Sequence, residues 1–150
     1  MLNSPDFKEL LSLFNEFNVR FLVIGDYAVM KYAEPRFTKD LDLWIAVDPQ
    51  NAAAVYAALK KFGAPLVDIT ESDFAAKDYC YQMGRPPLRV DIMMTIPGLE
   101  FEEAWPNRVE ISLGELNVSF IAKADLIRAK RAAGRAQDLL DLEALERCKI

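Results

Sequence analysis

An α/β (α+β) fold, in which helices flank a small mixed sheet, is the fold class that the sequence predicts. Three observations lead to it. Helix and strand patterns are interspersed along the chain, an apolar strand runs directly into Gly25 and a helix, and two helices follow the last strand. The chain has 150 residues, of which 52% are hydrophobic. We therefore expect one globular domain over residues 1–150.

The first three elements are predicted by start and stop signals. Ser4 followed by Pro5 is typical of a helix start, and apolar residues at helical spacing extend that helix over 5–18. Arg20–Ile24 is a short apolar run typical of a strand. This strand ends at Gly25, and the next residues predict a short helix over Asp26–Ala33.

The middle of the chain contains a strand with two different faces. The segment 40–47 alternates between two sets of residues, which is the period of a β-strand. One face carries Leu41, Leu43, Ile45 and Val47, and the other carries Asp40, Asp42, Trp44 and Ala46. A helix over 48–62 follows, and Gly63 ends it. The remaining predicted elements are strands at Pro65–Ile69, Tyr79–Met83 and Leu88–Thr95, a hairpin of Val109–Leu113 with Leu116–Phe120, and helices at Lys123–Ala133 and Arg135–Cys148 on either side of Gly134.

Composition excludes several classes of protein. No apolar run approaches the ~20 residues that span a bilayer, and no signal peptide is recognisable, so we expect a cytoplasmic protein without a membrane segment. The chain contains no histidine, and Cys80 and Cys148 lie far apart. Zinc sites, histidine triads and a disulfide framework are therefore not expected.

Charge is distributed unevenly in a chain whose net charge is −5. The segment 123–135 carries five basic residues and one acid. Such a segment favours a phosphate-bearing ligand, and the alternative is a solvated helix face.

Three aspartates are candidates for a metal site. Asp40 and Asp42 share one face of a strand, with Cα atoms about 6.5–7 Å apart, and Asp91 lies in a later strand. Clustered carboxylates are hard oxygen ligands that suit Mg²⁺, and without a cation they would repel one another. The alternative is that Asp40 and Asp42 only line an exposed strand face.

A phosphate-binding turn is predicted upstream of these aspartates. The strand that ends at Ile24 leads into Gly25 and a helix N-terminus, where free backbone N–H groups favour anions. Arg36 and Thr38 lie between this turn and Asp40. The order of strand, turn, helix and aspartate strand is the one expected of an enzyme that holds a metal–triphosphate.

The segment FLVIGDYAVMKYAEPRFTKDLDLWIAV resembles the signature of the nucleotidyltransferase superfamily, which includes DNA polymerase beta. More narrowly, Arg36-x-Thr38-x-Asp40-x-Asp42, together with the late segment Asp125 to Asp141, is similar to abortive-infection type and minimal nucleotidyltransferase toxins. The resemblance covers nearly all of the chain after Phe21.

The resemblance implies Mg²⁺- or Mn²⁺-dependent transfer of a nucleoside monophosphate from a nucleoside triphosphate, such as ATP, to a hydroxyl acceptor. Asp40, Asp42 and Asp91 would be the catalytic residues and would hold two metal ions. The acceptor would be an RNA 3′ end or a protein side chain, in a toxin or defence role. Nucleotide-binding residues would be Gly25, Asp26, Arg36, Thr38, Lys130 and Arg135.

Several roles remain open at this point. Asp26 stands where relatives have Gly or Ser; it either caps the following helix and occupies the anion position, or turns its side chain away. Arg36 either binds phosphate or pairs with Asp40. Asp138 and Asp141 either contact a ligand or pair with Arg135 and Lys130.

Two other functions compete with catalysis. The first is a catalytically weak or inactive interaction module, such as an antitoxin-like partner, which Asp26 favours and the three aspartates oppose. The second is nucleic-acid binding without chemistry, which the net negative charge disfavours. Because little chain remains for acceptor recognition, we expect a second copy or a cognate partner protein to supply part of that surface.

Overall fold

The computed structural model describes residues 4–33, 35, 36, 38, 40–85 and 88–148. Within them, six α-helices accompany one six-stranded sheet. The helices are α1 Pro5–Glu16, α2 Gly25–Tyr32, α3 Pro49–Phe62, α4 Phe101–Ala104, α5 Lys123–Ala133 and α6 Ala136–Arg147. The strands are β1 Phe21–Ile24, β2 Asp40–Ile45, β3 Cys80–Arg85, β4 Leu88–Met93, β5 Val109–Leu113 and β6 Leu116–Phe120.

The sheet is mixed, as the sequence predicts. Its strand order is β3-β4-β2-β1-β6-β5. The pairs β1–β2, β3–β4 and β5–β6 are antiparallel, whereas β2–β4 and β1–β6 are parallel. The two parallel pairs join residues that are far apart in sequence, and they position the candidate site.

Helix boundaries follow from local capping chemistry. The Ser4 side chain accepts a hydrogen bond from the backbone of Phe7 at the start of α1, and Asp48 caps α3 in the same way. Gly63 ends α3 and Gly134 ends α5, both in the left-handed conformation that glycine adopts without strain. These are the start and stop residues that the sequence indicates.

The predicted strand over Pro65–Ile69 is wrong. This segment forms turns that lead into a short 3-10 helix over Glu71–Ala75. Asp68 adopts a positive φ of 61°, and the backbone N–H of Ile69 donates to the carbonyl of Leu66. Because a left-handed residue and a local turn interrupt the extended backbone, the apolar pattern there does not produce a strand.

The core lies between the sheet and the helices that cover it. Leu10, Leu11 and Phe14 of α1 and Leu41 and Leu43 of β2 are fully buried. An aromatic group forms where the short helix α4, which the sequence patterns do not predict, packs on the sheet. Trp44 meets the Phe101 ring edge to face, with 5.2 Å between ring centroids.

No helix in the described part of the chain is long and apolar enough to cross a membrane.

Candidate active site

The register of three strands brings the predicted site residues together. In the antiparallel β1–β2 pair, Ile24 lies opposite Asp42, so the turn that follows β1 lies beside that aspartate. In the parallel β2–β4 pair, Asp42 lies opposite Asp91 and Asp40 lies opposite Arg89. Residues paired across neighbouring strands project from the same face of the sheet. The three aspartates therefore face one region.

That region is a cavity of about 570 Å³ between the sheet and helix α5. Of the nine residues predicted for the site, six line this cavity: Gly25, Asp40, Asp42, Asp91, Lys130 and Arg135. The other three, Asp26, Arg36 and Thr38, lie outside its lining. The sheet wall of the cavity thus carries the three aspartates and Arg89, and Lys130 and Arg135 form a basic helix wall that also includes Asp138.

Gly25 is in contact with the Asp42 carboxylate. Its φ is +69°, and a Cβ added there would lie 2.1 Å from Asp42 Oδ2 and 2.9 Å from its Cγ. Any side chain at position 25 would therefore displace the carboxylate and strain the backbone. The structure requires glycine at this turn for both reasons.

Asp42 is the aspartate whose ionisation is most perturbed. Burial, followed by the charge of Asp91 and a hydrogen bond shared with it, raises the pKa of Asp42 to about 7, and Asp40 and Asp26 add smaller contributions. At neutral pH this carboxyl group therefore binds a proton more readily than an ordinary aspartate does. Such crowding of negative charge marks a position where a cation would replace the proton.

Arg89 belongs to the site and was not found from the sequence. Its Nη2 lies 3.2 Å from Asp40 Oδ2 and 3.2 Å from Asp91 Oδ2, and its Nε lies 3.2 Å from Asp91 Oδ1. The negative charge of Asp91, followed by that of Asp40, raises the pKa of Arg89. Its spacing of two residues from Asp91 on a strand is the signal that would have identified it.

Asp26 and Arg36 contact each other outside the cavity. Arg36 Nη1 lies 3.0 Å from Asp26 Oδ1, and its Nη2 lies 2.7 Å from Asp141 Oδ1. The N-cap position of α2 is Ile24, and Asp26 lies within the first turn of the helix. Of the alternatives left open, Asp26 has turned its side chain away, and the partners of Arg36 are Asp26 and Asp141 rather than Asp40.

Thr38 also acts on the backbone next to the site. Its Oγ1 lies 3.3 Å from both the backbone N and the backbone O of Asp40. This contact stabilises the start of β2, where the first aspartate stands.

The basic wall is held by two buried aspartates of α6. Lys130 Nζ lies 2.9 Å from Asp141 and 3.3 Å from Asp138, and Arg135 Nε lies 2.7 Å from Asp138. The hydrogen bond from Arg135 lowers the pKa of Asp138, against the effect of burial. Of the two roles left open for Asp138 and Asp141, the structure thus shows ion pairs with Lys130 and Arg135.

The donor atoms of this site suit a hard divalent cation. Three carboxylates face the cavity, and the raised pKa of Asp42 reflects their uncompensated charge. In the described part of the chain, however, no three Asp, Glu, Cys or His side chains already surround one point where a metal ion would bind. Asp40 and Asp91 are instead in contact with Arg89. The three carboxylates are thus ligands of the type that Mg²⁺ prefers, and Arg89 contacts two of these candidate ligands.

A mixed sheet with a glycine turn and paired aspartate strands is what the resemblance to nucleotidyltransferases implies. A family model described as "Nucleotidyl transferase of unknown function (DUF2204)" matches residues 3–150. The chain therefore belongs to this nucleotidyl transferase family. The resemblance to the superfamily is confirmed, whereas the narrower one to abortive-infection type toxins stays a prediction.

Two of the solved structures that match this chain illustrate the shared fold. A lincosamide antibiotic adenylyltransferase, LnuA with lincomycin bound, is 14% identical, with a TM-score of 0.63 and 98% of each chain covered. An antigenic nucleotidyltransferase-like protein from Paracoccidioides brasiliensis is 16% identical, with a TM-score of 0.55, over 93% of this chain and 72% of that one. No curated protein sequence matches the chain significantly. At these identities the likeness shows the nucleotidyltransferase fold.

Proposed function

We propose that this protein transfers a nucleoside monophosphate from a nucleoside triphosphate to a hydroxyl acceptor, with Mg²⁺ or Mn²⁺. The observation that carries the proposal is the strand register, which places Asp42 opposite Asp91 and beside the Gly25 turn. Lys130 and Arg135 line the same cavity from the opposite wall. Metal ligands, a phosphate-binding turn and cations thus face one space.

Each group has a role that its chemistry supports. Asp40, Asp42 and Asp91 would hold the metal, and the backbone at Gly25 would approach the phosphates because no Cβ intervenes. Lys130 and Arg135 would neutralise charge on the triphosphate and on the leaving pyrophosphate. A divalent cation bound by such carboxylates lowers the pKa of the attacking hydroxyl and stabilises the phosphoryl oxygens.

ATP is the first donor to test, because the similar solved structure is named an adenylyltransferase. For the acceptor we retain an RNA 3′ end or a protein side chain, as the resemblance implies, in a toxin or defence role. The name of that structure adds a small-molecule hydroxyl as a third acceptor class. A second copy or a cognate partner would complete acceptor recognition.

A second candidate function is a non-catalytic interaction module with the same fold. The ion pairs of the site favour it. Arg89 neutralises Asp40 and Asp91, and Lys130 and Arg135 are paired with aspartates of α6. It is opposed by the orientation of Asp26, which contacts Arg36 outside the cavity.

Thermal unfolding with each nucleoside triphosphate, with and without Mn²⁺ or Mg²⁺, tests the proposal without knowledge of the acceptor. A ligand at ~100 times its Kd adds about 2.7 kcal/mol to the free energy of unfolding. We expect a shift of roughly 5–10 °C in the midpoint for at least one triphosphate. The shift should require the metal.

Two variants make this measurement specific. Asp42→Asn should lose the shift, because it removes one metal ligand. Asp78→Asn, which removes the same charge from an exposed turn, should keep it. If no triphosphate stabilises wild type, or if Asp42→Asn responds as wild type does, the proposed site is wrong and the interaction module is favoured.

A further inference from the structure

Arg89 is a cation that lies among the candidate metal ligands. Its guanidinium contacts Asp40 on one strand and Asp91 on the next, so it bridges two of the three aspartates. All three of these residues line the cavity. The Arg89 side chain remains 44% exposed, whereas that of Asp91 is only 10% exposed. The Arg89 side chain is thus much more accessible to solvent than the Asp91 carboxylate that it contacts.

A guanidinium in this position neutralises part of the negative charge that a metal ion would neutralise. It neutralises two carboxylates with separate nitrogen atoms, and it cannot release its charge by losing a proton near neutral pH. A metal ion that binds Asp40 and Asp91 has to displace this guanidinium. If the metal binds alone, the displaced guanidinium exchanges two carboxylate contacts for water. If a triphosphate enters with the metal, an anion becomes available to it in the same cavity.

We propose that Arg89 is a displaceable counter-ion that couples metal binding to triphosphate binding. Before the ligands bind, it pairs with Asp40 and Asp91, limits their repulsion of Asp42 and competes with a metal ion. When the metal–triphosphate binds, the guanidinium leaves the carboxylates and pairs with phosphate oxygens. Coupling of this kind is reciprocal, so the triphosphate raises the affinity for the metal as much as the metal raises the affinity for the triphosphate. This inference rests on the proposed function, because it requires both ligands in this cavity.

Isothermal titration calorimetry of the nucleotide-free protein with Mn²⁺ alone tests the competition. Arg89→Gln should bind Mn²⁺ about tenfold more tightly than wild type, because the competing cation is absent. The matched control is Arg131→Gln, which removes the same charge from an exposed ion pair with Glu146 on the outer side of α5 and α6. Arg131→Gln should bind Mn²⁺ within about twofold of wild type, which separates local competition from a change in net charge.

A second titration tests the coupling. At saturating Mn²⁺, Arg89→Gln should bind α,β-methylene-ATP about tenfold more weakly than wild type, since one phosphate partner is missing. Opposite changes in the two affinities are the signature of a counter-ion that transfers between ligands. A residue that only stabilised the fold would not strengthen one affinity and weaken the other.

The outcomes separate this inference from the proposed function. If Asp42→Asn abolishes Mn²⁺ binding but Arg89→Gln behaves like Arg131→Gln, the counter-ion is disproved and the metal site stands. If the affinity of Arg89→Gln for the analogue equals that of wild type, the coupling is disproved. If neither wild type nor Arg89→Gln binds Mn²⁺ alone, although a triphosphate with metal shifts the unfolding midpoint, the competition is disproved. If no triphosphate gives a shift either, the proposed function fails, and this inference with it. Should Arg89→Gln not fold, Arg89→Lys provides the comparison, because a single ammonium keeps the charge but cannot offer separate nitrogens to two carboxylates.

Discussion

Gly25 and Asp42 illustrate how closely single residues determine this site. The carboxylate of Asp42 fills the space where any other residue at position 25 would place its Cβ. Gly25 also has a positive φ, which a side chain would strain by about 1–2 kcal/mol. The glycine therefore serves the backbone conformation and the position of the carboxylate at once.

Gly25→Ala should reduce both stability and ligand binding. We expect the free energy of unfolding to fall by about 2–3 kcal/mol, from backbone strain and displacement of Asp42 together. The matched control is Gly114→Ala, because Gly114 has nearly the same φ, +68°, but nothing lies within 4 Å of an added Cβ. Urea denaturation of both variants separates the two effects. Equal losses in the two variants would mean that contact with Asp42 adds nothing.

The raised pKa of Asp42 predicts that the stability of the metal-free protein depends on pH. The pKa is about 7 in the folded protein and about 3.9 in an unfolded chain, so between these values the folded state binds more protons. The contribution of this group to the free energy of unfolding therefore falls as pH rises from about 4 to 7. Protonation favours the fold here because the charged form is crowded and partly buried.

Asp42→Asn should remove this pH dependence. Relative to wild type, we expect the metal-free variant to gain about 1–2 kcal/mol between pH 5 and pH 8, measured by urea denaturation in EDTA. Asp78→Asn, on the exposed turn, should change by less than ~0.5 kcal/mol over the same range. A stability difference between Asp42→Asn and wild type that is the same at both pH values would contradict the assignment.

At the scale of elements, a network of ion pairs joins α2, the segment before β2, α5 and α6. Asp141 of α6 accepts from Arg36 and pairs with Lys130, and its side chain is only 1% exposed. Burial acts to raise the pKa of Asp141, but the hydrogen bonds from Arg36 and Gln137 and the charge of Lys130 lower it below its usual range. The network thereby sets the distance between the basic helix wall and the turn at Gly25.

Asp141→Asn should destabilise the protein by about 2–3 kcal/mol, because it leaves two cations with less compensation inside the fold. The matched control on the same two helices is Glu146→Gln, whose partner Arg131 is exposed, and it should cost less than about 0.5 kcal/mol. Urea denaturation at pH 7 measures both. Since the pKa of Asp141 is lowered, its contribution is present above about pH 4 and is lost as pH falls further. Similar small losses in both variants would show that the buried network adds no stability.

At the scale of the whole molecule, the candidate site depends on contacts between distant parts of the chain. Asp42 and Asp91 become neighbours because β2 and β4 pair in parallel across the segment that contains α3. Tyr32 of α2 donates a hydrogen bond of 2.8 Å to the carbonyl of Ile121, which lines the cavity beyond β6. The cavity is therefore a product of sheet topology rather than of one motif.

Much of the architecture follows from local patterns. The sequence predicts the helix over Lys123–Ala133, the hairpin of Val109–Leu113 with Leu116–Phe120, and the helix starts near Ser4 and Asp48, and the structure contains them. Such features depend on residues a few positions apart, so the sequence displays them directly. The strand predicted over Pro65–Ile69 does not form, because Asp68 adopts a left-handed backbone conformation that interrupts the extended chain.

The sequence by itself identified the residues that we propose carry the chemistry: the three aspartates, the glycine turn and the basic helix before Gly134. The tertiary structure decided how their charges are paired. Arg89 joins Asp40 to Asp91, and Arg36 and Asp26 contact each other outside the cavity. Spacing along a strand or helix shows which face a residue occupies, because the backbone period is local. The partner of a charge depends on strand register and on helix packing, and these arise only when distant segments meet.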